Sequence, residues 1–504
     1  MKVFTAAQIR QCDASTIQHE PVGEVDLMER AATACADWIS ARFTGNEKFC
    51  IFCGNGNNGG DGFALARILA DRCRNVIVFG DFAADLSDSA SHHLKRLKAV
   101  EGVAFLDIKE AETFQFSETS VIIDALLGTG LNRKIEGWLA TVIEKLNAAQ
   151  VPKISVDIPS GLLADQLVSH SAVIFKADYT LTFQFWRRSF LHFESGKFCG
   201  EVHLLDIGLS AEFINKEKTP YFTIDEDLIQ KIYRKRDDFS HKGTFGKTLI
   251  AAGSFGKMGA AVLATKAALK TGSGLTVTLA PTCGYEILQI SCPEAMFVSG
   301  GKTELTEFFV EENAAAGIGP GLGTSEKTVA AFLSFLKTYE KPLVIDADAL
   351  NIIAENPEYL KAVPKDSIIT PHPKEFQRLF GETANSFERL ELARQKACEL
   401  AIYIVLKDHH TQVVTPEMKV YYNTTGNSGM AKGGSGDALL GVITSLLAQD
   451  YSPRDAALFG VWLHGAAGDL AAEKFSKEAM LPGDLINELG NVFKYLSKKI
   501  PFNK

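Results

Sequence analysis

Residues 427–441 read NSGMAKGGSGDALLG and join a glycine-rich loop to the start of an apolar helix. Gly433, Gly434 and Gly436 lack a Cβ atom, so successive backbone N–H groups can turn toward one point. The first turn of the helix adds unpaired donors and a partial positive charge, and the whole cradle therefore suits an anion. Asp437 follows at once, where its carboxylate can accept the proton of a hydroxyl group that attacks a bound phosphate. The alternative is an ordinary turn with an acidic residue at a helix start.

The composition is that of a soluble protein with more than one domain. The chain has 504 residues, of which 46% are hydrophobic and 22% charged, and this length suggests roughly two to four domains. No run approaches about 18 apolar residues, which argues against a membrane span. The first ten residues lack the pattern of a signal peptide, so we expect a cytoplasmic protein. A net charge of -9 argues against a nucleic-acid partner.

The nine cysteines are expected to be thiols. Cys50 and Cys53 form a C-x-x-C pair, but both lie inside the apolar run at 49–53 and no second pair is near. This context favours buried thiols over a zinc site or a redox pair.

The first half of the chain alternates strand and helix patterns. Apolar runs at 48–53, 75–79, 120–125 and 153–158 read as buried strands, and a glycine loop at 54–62 leads from the first strand into a helix. This alternation predicts a Rossmann-like three-layer αβα sandwich around a doubly wound sheet. Ligands of such sheets bind beyond the carboxyl ends of the strands.

Polar residues follow three of these strand ends. They are Asn57, Asn58 and Asp61 after the first strand, Asp124 after a later one, and Asp157 and Ser160 after the last. Amide, carboxylate and hydroxyl oxygens in one crevice suit a cation beside a phosphate-bearing ligand. Asn and Gly also form simple turns, but three such motifs at strand ends favour a site. The glycine spacing is not G-x-G-x-x-G, which disfavours an ordinary NAD dehydrogenase.

Three motifs of this half resemble those of the YjeF N-terminal family, the NAD(P)H-hydrate epimerases: NNGGDG at 57–62, DALLGTG at 124–130 and VDIPSG at 156–161. The resemblance implies that Asn58, Asp124 and Ser160 coordinate K⁺ and that Asp157 is the acid/base that inverts the hydrated carbon. The residues that it implies for binding of the hydrated nucleotide are Asn57, Asn58, Gly59, Gly60, Asp61, Gly128, Thr129, Gly130, Leu131, Asn132, Arg133, Lys134 and Asp157. One departure is Arg187 and Arg188 where the family has a lysine-containing turn, and their geometry as cations differs from that of lysine.

The second half begins after a charged, irregular stretch. We expect a first domain at 1–212, a linker at 213–235 and a second α/β domain at 236–504. Strand patterns recur at 247–252, 275–280, 314–318, 343–346, 367–370 and 402–406. The loops between them carry GPGLG at 319–323, DADAL at 346–350, TPHPKE at 370–375 and Lys407. With the glycine cradle, these loops indicate a nucleotide-dependent phosphoryl-transfer site.

Several polar residues of these loops have two interpretations each. His372, which lies between two prolines, is either a ligand contact or part of a turn. Asp346 and Asp348 either face a cation or cap a helix. Lys407 is a plausible phosphate contact, whereas His409 and His410 are either contacts or a hairpin turn.

These motifs, with GMAKGGSGD at 429–437, resemble the YjeF C-terminal family, the NAD(P)H-hydrate dehydratases, which are relatives of ribokinase-fold kinases. The resemblance implies a ribokinase-like αβα domain. The residues implied for binding of the hydrate are Gly259, Ala260, Gly321, His372 and Asp437. Those implied for the adenine nucleotide are Lys407, Asp408, His409, His410, Thr411, Gly433, Gly434, Ser435 and Gly436. Lys432 and the Asp408-His409-His410 run depart from the family pattern.

Together the resemblances imply a bifunctional repair enzyme for hydrated NADH and NADPH. The first domain, with its K⁺ ion, would interconvert the R and S hydrates, and the second would dehydrate the S hydrate with ADP or ATP and Mg²⁺. We expect small-molecule partners and a homo-oligomer. The alternatives are a ribokinase-like small-molecule kinase with an N-terminal nucleotide-binding module, and a first domain without catalytic activity.

Overall fold

The computed structural model describes residues 1–131, 134–168 and 172–499. The chain forms two compact α/β units, of which one comprises Lys2–Thr219 and the other begins at Pro220. The predicted two-domain α/β architecture is therefore confirmed. Within the described ranges, no helix combines the length and the apolar character that a membrane span requires.

The first unit is built on a seven-stranded sheet. Its strands are β1 (Lys48–Cys53), β2 (Asn75–Gly80), β3 (Ala104–Asp107), β4 (Ser120–Ala125), β5 (Lys153–Val156), β6 (Tyr179–Phe183) and β7 (Glu201–Leu205). Its helices are α1 (Ala6–His19), α2 (Glu24–Arg42), α3 (Asn57–Asp71), α4 (Asp88–Leu97), α5 (Trp138–Ala148), α6 (Phe193–Gly196) and α7 (Ala211–Lys216). The strand order is β3-β2-β1-β4-β5-β6-β7, and every pairing is parallel. The order reverses between β1 and β4, and such a switch point opens a crevice at the carboxyl ends.

Strand β1 is buried on both faces. Phe49, Ile51 and Cys53 pack into one hydrophobic core, whereas Cys50 and Phe52 pack into the core on the other side. This alternation follows from the two-residue period of a strand. Both cysteines are buried free thiols, as the sequence predicts.

The glycine-rich segment after β1 differs from its predicted form. Residues 54–62 were expected to form a loop, but α3 already begins at Asn57. A Cβ atom on Gly59 would lie 1.8 Å from the carbonyl oxygen of Gly54. The glycine therefore lets the first turn of the helix pack against the end of its own strand, which a larger residue would prevent.

The second unit contains a ten-stranded sheet. Its strands are β8 (Tyr221–Ile224), β9 (Lys247–Ala251), β10 (Leu275–Ala280), β11 (Met296–Ser299), β12 (Ala314–Ile318), β13 (Leu343–Ile345), β14 (Ile368–Ile369), β15 (Tyr403–Leu406), β16 (Gln412–Val414) and β17 (Val420–Asn423). Its helices are α8 (Glu226–Ile232), α9 (Met258–Thr271), α10 (Tyr285–Ser291), α11 (Glu326–Leu336), α12 (Ala347–Glu355), α13 (Pro373–Phe380), α14 (Ser386–Leu400), α15 (Ser435–Ala448), α16 (Pro453–Ala479) and α17 (Pro482–Lys499).

The order of this sheet is β11-β10-β9-β12-β13-β14-β15-β16-β17-β8. Every pairing along the sheet from β11 to β15 is parallel, β16 is antiparallel to both of its neighbours, and β8 is parallel to β17. The predicted linker at 213–235 thus contains a strand and a helix of the second unit. The loops after β9, β12, β13, β14 and β15 meet at one edge, where the polar motifs lie.

Candidate active sites

A cavity of about 1140 Å³ lies in the first unit, among the loops that follow its strands. The predicted residues on its wall are Asn57, Asn58, Asp61, Gly128, Thr129, Gly130, Leu131, Lys134 and Asp157. Gly59 and Gly60 are buried inside α3 and are not part of the cavity wall. The predicted residues Asn132 and Arg133 lie outside the described part of the chain. The cavity thus joins motifs that are about 100 residues apart in the sequence.

Asp157 is held in a specific orientation at this cavity. Its backbone has a φ of 61°, a left-handed conformation that non-glycine residues adopt mainly where the surrounding structure enforces it. Its Oδ1 accepts hydrogen bonds from Nη2 of Arg187 at 2.5 Å and from the Thr182 hydroxyl at 3.3 Å. Arg187 is only 2% exposed, and its Nε and Nη1 have no hydrogen-bond partner in the described ranges. Two buried nitrogen atoms, which carry three N–H donors, are therefore left for a ligand.

Two further aspartates lie on the wall of this cavity, Asp13 on α1 and Asp61 on α3. Burial raises the pKa of Asp13 to about 6, with Arg187 opposing the rise and Asp157 adding to it. Burial, then the charges of Asp157 and Asp13, raise the pKa of Asp61 well above its usual range. Three carboxyl groups with one arginine cannot all ionise easily, so this end of the cavity can hold a proton near neutral pH.

The residues predicted to bind K⁺ come from three adjacent chain segments. Asp124 is fully buried, its Oδ1 accepts from the Ser160 hydroxyl at 2.6 Å, and its Oδ2 accepts from the Ser160 backbone N–H at 2.8 Å. Burial raises the pKa of Asp124 to about 6, against the effect of these hydrogen bonds. Asn58 is 8% exposed, and its Nδ2 is buried without a partner among the described residues. A Cβ atom on Gly128 would lie 3.1 Å from the Asn58 Cβ, so the β4 loop adjoins α3.

Asp437 lies in the first turn of α15, as the sequence predicts. Gly434 precedes this helix with a φ of 100°, and a Cβ atom on it would lie 2.5 Å from Cδ1 of Leu263. Burial raises the pKa of Asp437 to about 6, Asp346 raises it further, and Lys407 opposes the rise. A carboxyl group of this kind ionises near neutral pH, which suits a general base.

The Lys407 ammonium group lies between two buried carboxylates. Its Nζ donates to Oδ1 of Asp346 at 2.8 Å and lies 3.9 Å from Oε2 of Glu375. A Cβ atom on Gly436 would lie 3.3 Å from both Oδ2 of Asp346 and Nζ of Lys407. The ends of β13 and β15 and the glycine cradle therefore meet at one point. In the described part of the chain, no group of three or more His, Cys, Asp or Glu side chains has the arrangement of a metal site.

His372 caps α13 through its side chain. Its Nδ1 accepts hydrogen bonds from the backbone N–H groups of Lys374 and Glu375 at 3.1 Å and 3.3 Å. The proton of the neutral ring therefore lies on Nε2. Burial and the charge of Lys407 lower the pKa of His372. Of its two predicted roles, the structural one is thus present, and Nε2 lies 3.5 Å from Oε1 of Glu375.

The residues predicted to contact the hydrate next to Asp437 also lie together. A Cβ atom on Gly321 would lie 2.8 Å from the carbonyl oxygen of Lys257 and 3.2 Å from the Ala260 Cβ. Gly259 is the second residue of α9, and a Cβ atom there would meet nothing within 4 Å. The loop after β12 therefore packs closely against the start of α9 at Gly321, and open space remains beside Gly259.

The two departures of the second half from its family pattern, the run at 408–410 and Lys432, have structural roles. Asp408 pairs with Arg389 and also accepts from the His409 backbone N–H. The ring of His410 bonds to the Asn423 carbonyl oxygen at 3.1 Å, and burial lowers its pKa to about 4. Lys432 donates to the carbonyl oxygens of Met480, at 2.7 Å, and Glu478. These side chains hold the predicted nucleotide loops in place.

Three residues near the sites were not among the predicted site residues: Asp13, Arg187 and His464. His464 Nε2 bonds to the Ser435 carbonyl oxygen at 3.0 Å and so supports the start of α15, while burial lowers its pKa to about 4. Asp13 and His464 lie on regular helices without a motif. The sequence signal for Arg187 is that it stands where the family has a lysine-containing turn.

Comparison with known proteins gives two family matches. Residues 24–189 match the model of the YjeF-related protein N-terminus, and residues 248–491 match that of NAD(P)H-hydrate dehydratase. A bifunctional NAD(P)H-hydrate repair enzyme of Moorella thermoacetica is 33% identical and covers 99% of this chain and 98% of its own. The Escherichia coli protein of the same name is 33% identical over 93% of this chain and 89% of its own.

The second unit also matches solved structures. An ADP/ATP-dependent NAD(P)H-hydrate dehydratase from Bacillus subtilis, co-crystallised with ATP and Mg²⁺, is 32% identical. The match covers 55% of this chain and 98% of that chain, with a TM-score of 0.47.

Proposed function

Since this chain belongs to the family of bifunctional NAD(P)H-hydrate repair enzymes, we propose that each of its two units holds one of the two active sites. The enzyme epimerises the R and S hydrates of NADH and NADPH, and it dehydrates the S hydrate in a reaction that consumes an adenine nucleotide. We assign the epimerase to Lys2–Thr219 and the dehydratase to the unit that begins at Pro220. The predicted homo-oligomer, the absence of a nucleic-acid partner and the cytoplasmic location stay predictions.

The epimerase assignment is supported by the cavity that collects the three predicted motifs. Asp157 lies on its wall with a carboxylate oriented by Arg187 and Thr182. It would act as the base at the hydroxyl of the hydrated ring carbon. Asn57, the loop at 128–131 and Lys134 would bind the rest of the nucleotide, because backbone N–H groups and an ammonium group suit its phosphates.

The oxygen atoms of Asp124, Ser160 and Asn58 fit a K⁺ ion. Carboxylate, hydroxyl and amide oxygens are hard ligands that suit such a cation. The bound ion would supply a positive charge beside the phosphate-binding loops. It would also offset the cost of the buried Asp124 carboxylate.

The dehydratase assignment rests on one observation, the Asp437 carboxyl group beside Lys407 at the N-terminus of α15. Asp437 would remove the proton of the hydrate hydroxyl, whose oxygen then attacks the terminal phosphoryl group of ADP or ATP. The N–H groups at Gly433, Gly434 and Gly436 would stabilise the developing charge. Phosphate then leaves with the former hydroxyl oxygen, and loss of a proton from the neighbouring carbon restores the dihydronicotinamide.

The remaining predicted contacts surround this reaction. The hydrate would lie against Gly259, Ala260, Gly321 and Nε2 of His372, and the nucleotide against the loop at 407–411 and Ser435. Mg²⁺ would arrive with the nucleotide phosphates, and Asp346 and Glu375 offer the carboxylate oxygens that it prefers.

Two matched variants of the full chain test both assignments. Asp437→Asn should lower nucleotide-dependent dehydration of the S hydrate about 10²- to 10⁴-fold while interconversion of the epimers continues. Asp157→Asn should do the reverse. The assays are the return of dihydronicotinamide absorbance and chromatographic separation of the epimers, each with K⁺, Mg²⁺ and ADP or ATP. Unimpaired dehydration by Asp437→Asn would exclude its role as the base, and a stable phosphorylated product would show a kinase instead.

A further inference from the structure

One face of α1 forms a wall of the epimerase cavity that the sequence motifs do not supply. The residues of this face on the cavity wall are Ile9, Arg10, Asp13, Ala14 and Ile17. Asp13 is the one carboxyl group in α1. It has no hydrogen-bond or ion-pair partner within the described ranges. A carboxyl group without a protein partner on a cavity wall is available to a ligand.

The surroundings of Asp13 and Asp157 differ in their contacts. The Arg187 guanidinium lies 2.5 Å from Oδ1 of Asp157, as a charge-assisted hydrogen bond. Asp13 has no such hydrogen bond, and burial, opposed by the Arg187 charge and reinforced by the Asp157 charge, raises its pKa to about 6. Where two carboxyl groups of one site differ in this way, the ionised group serves as the base and the protonated group as the acid.

The chemistry of the hydrate requires both an acid and a base. A dihydronicotinamide ring is an enamine, so water adds its hydroxyl to the ring carbon beside the nitrogen. That carbon is a hemiaminal, which opens to an aldehyde and an amine. Loss of the hydroxyl as water is the other way to lose the stereocentre. It would give the ion from which NAD(P)H re-forms by loss of a proton, so an epimerase that used it would dehydrate the hydrate without a nucleotide.

We propose that Asp13 is the general acid of the epimerase, acting with Asp157 as the base in a reversible opening of the hydrated ring. Asp157 accepts the hydroxyl proton, and the O–H electron pair forms the aldehyde C=O bond. The C–N bond breaks, its electron pair passes to the ring nitrogen, and the nitrogen takes the proton of Asp13. Rotation about the adjacent C–C bond presents the other face of the aldehyde. The nitrogen then attacks that face, Asp13 recovers its proton, and Asp157 returns its proton to the oxygen.

Other charged groups line the same cavity as Asp13. They are Arg10 on its own helix, Glu24 on α2, Asp61 on α3, Lys134 after β4, Glu136 before α5, and Asp157 and Arg187 near the ends of β5 and β6. Asp61 is the rival acid, because it also retains a proton. Asp61 lies on α3, which begins shortly after the end of β1, and Asp157 lies just after β5. Asp13 lies on the part of the wall that α1 forms. A ring bound between these walls can meet Asp13 and Asp157 at different atoms.

The test compares Asp13→Asn, Asp13→Glu and Asp61→Asn with Asp85→Asn in the full chain. Asp85 is exposed and lies outside the cavity wall, so Asp85→Asn should match the wild type. Asp13→Asn should lower the epimerase kcat about 10²- to 10⁴-fold with KM changed less than about threefold. Asp13→Glu should recover part of that loss. Thermal unfolding and the dehydration of pure S hydrate check that each variant is folded.

The pH dependence of the rate and the exchange of an oxygen isotope are two measurements that would not change if Asp13 had only a structural role. The wild-type epimerase kcat/KM should fall about tenfold for each pH unit above about pH 6, and the residual rate of Asp13→Asn should lack this limb. In ¹⁸O-labelled water, epimerisation should run faster than incorporation of the label into the hydroxyl.

The outcomes separate this inference, which rests on the proposed function, from that function itself. A wild-type protein that does not interconvert the epimers refutes both. A wild-type protein that does so, with an Asp13→Asn variant of unchanged kcat, refutes only the acid assignment. Loss of kcat in Asp61→Asn but not in Asp13→Asn would refute it too, in favour of Asp61.

Discussion

Replacing Gly434 by alanine should damage the dehydratase site more than any similar change in the glycine run. Its φ of 100° costs an L-residue about 1–2 kcal/mol. The added Cβ would lie 2.5 Å from Cδ1 of Leu263, and such overpacking costs about 1–3 kcal/mol. We therefore expect a loss of about 2–5 kcal/mol in the free energy of unfolding of the second unit. For a domain of this size, that loss lowers its melting temperature by roughly 5–15 °C.

Gly433→Ala is the matched control, because a Cβ atom there would meet nothing within 4 Å. Calorimetry measures the melting temperature of the second unit. Its transition is the one whose temperature rises when ADP is added, since a ligand stabilises the unit that binds it. The dehydratase rate of Gly434→Ala at low temperature should also fall about 10²-fold, because the phosphate donors shift. Wild-type stability and rate in Gly434→Ala, or an equal loss in Gly433→Ala, would refute the reasoning.

Three further predictions concern charges and the cation. Because Asp437 has a pKa of about 6 and must be ionised to act as a base, dehydratase kcat/KM should fall about tenfold for each pH unit below about pH 6, as measured by absorbance. Arg187→Met should abolish epimerisation and cost about 3–5 kcal/mol in denaturant unfolding, because it leaves the Asp157 carboxylate buried without its partner; Arg187→Lys should lose less. Ser160→Ala should raise the K⁺ concentration for half-maximal epimerase activity about tenfold in a potassium titration.

Each of these predictions has its own control. A dehydratase profile that stays flat down to pH 5 would contradict the role of Asp437, and the epimerase rate of the same sample shows whether the protein survives at low pH. Epimerisation at the wild-type rate by Arg187→Met would show that the pair is structural. For Ser160→Ala, the dehydratase rate in the same potassium titration should match that of the wild type, and an unaltered epimerase titration would remove Ser160 from the cation site.

The strands that the sequence predicted well are long, buried and bounded by polar or glycine residues. Strands β1, β4, β10 and β12 have the predicted limits, because each is a largely apolar or β-branched run between clear stops. The strands β8, β16 and β17 were not predicted; they have three or four residues and lie together at one side of the sheet, outside the alternation of strand and helix on which the prediction rests. The start of α3 was missed because glycine and asparagine usually indicate a loop, whereas close packing requires the glycines here.

In the candidate sites too, the residues in local motifs were predicted and those that depend on tertiary packing were not. Motifs at strand ends were predictable, since a glycine or carboxylate at that position has few structural reasons to be there. Asp13 and His464 were not, because each is one polar residue on a helix whose approach to the site depends on tertiary packing. The Lys407–Asp346 contact joins residues 61 positions apart, and no local pattern encodes such a pair.

The strand β8 has a consequence for how far the two activities can be separated. Its four residues pair with β17 along the full length of that strand, and they come directly after the end of the first unit. A shortened chain that starts at residue 236 would leave the backbone donors and acceptors of β17 without their neighbour, and an open edge of this kind promotes aggregation. We therefore expect a separately expressed second unit to need the segment from Pro220 onward, which includes most of the stretch that the charged sequence marks as a linker.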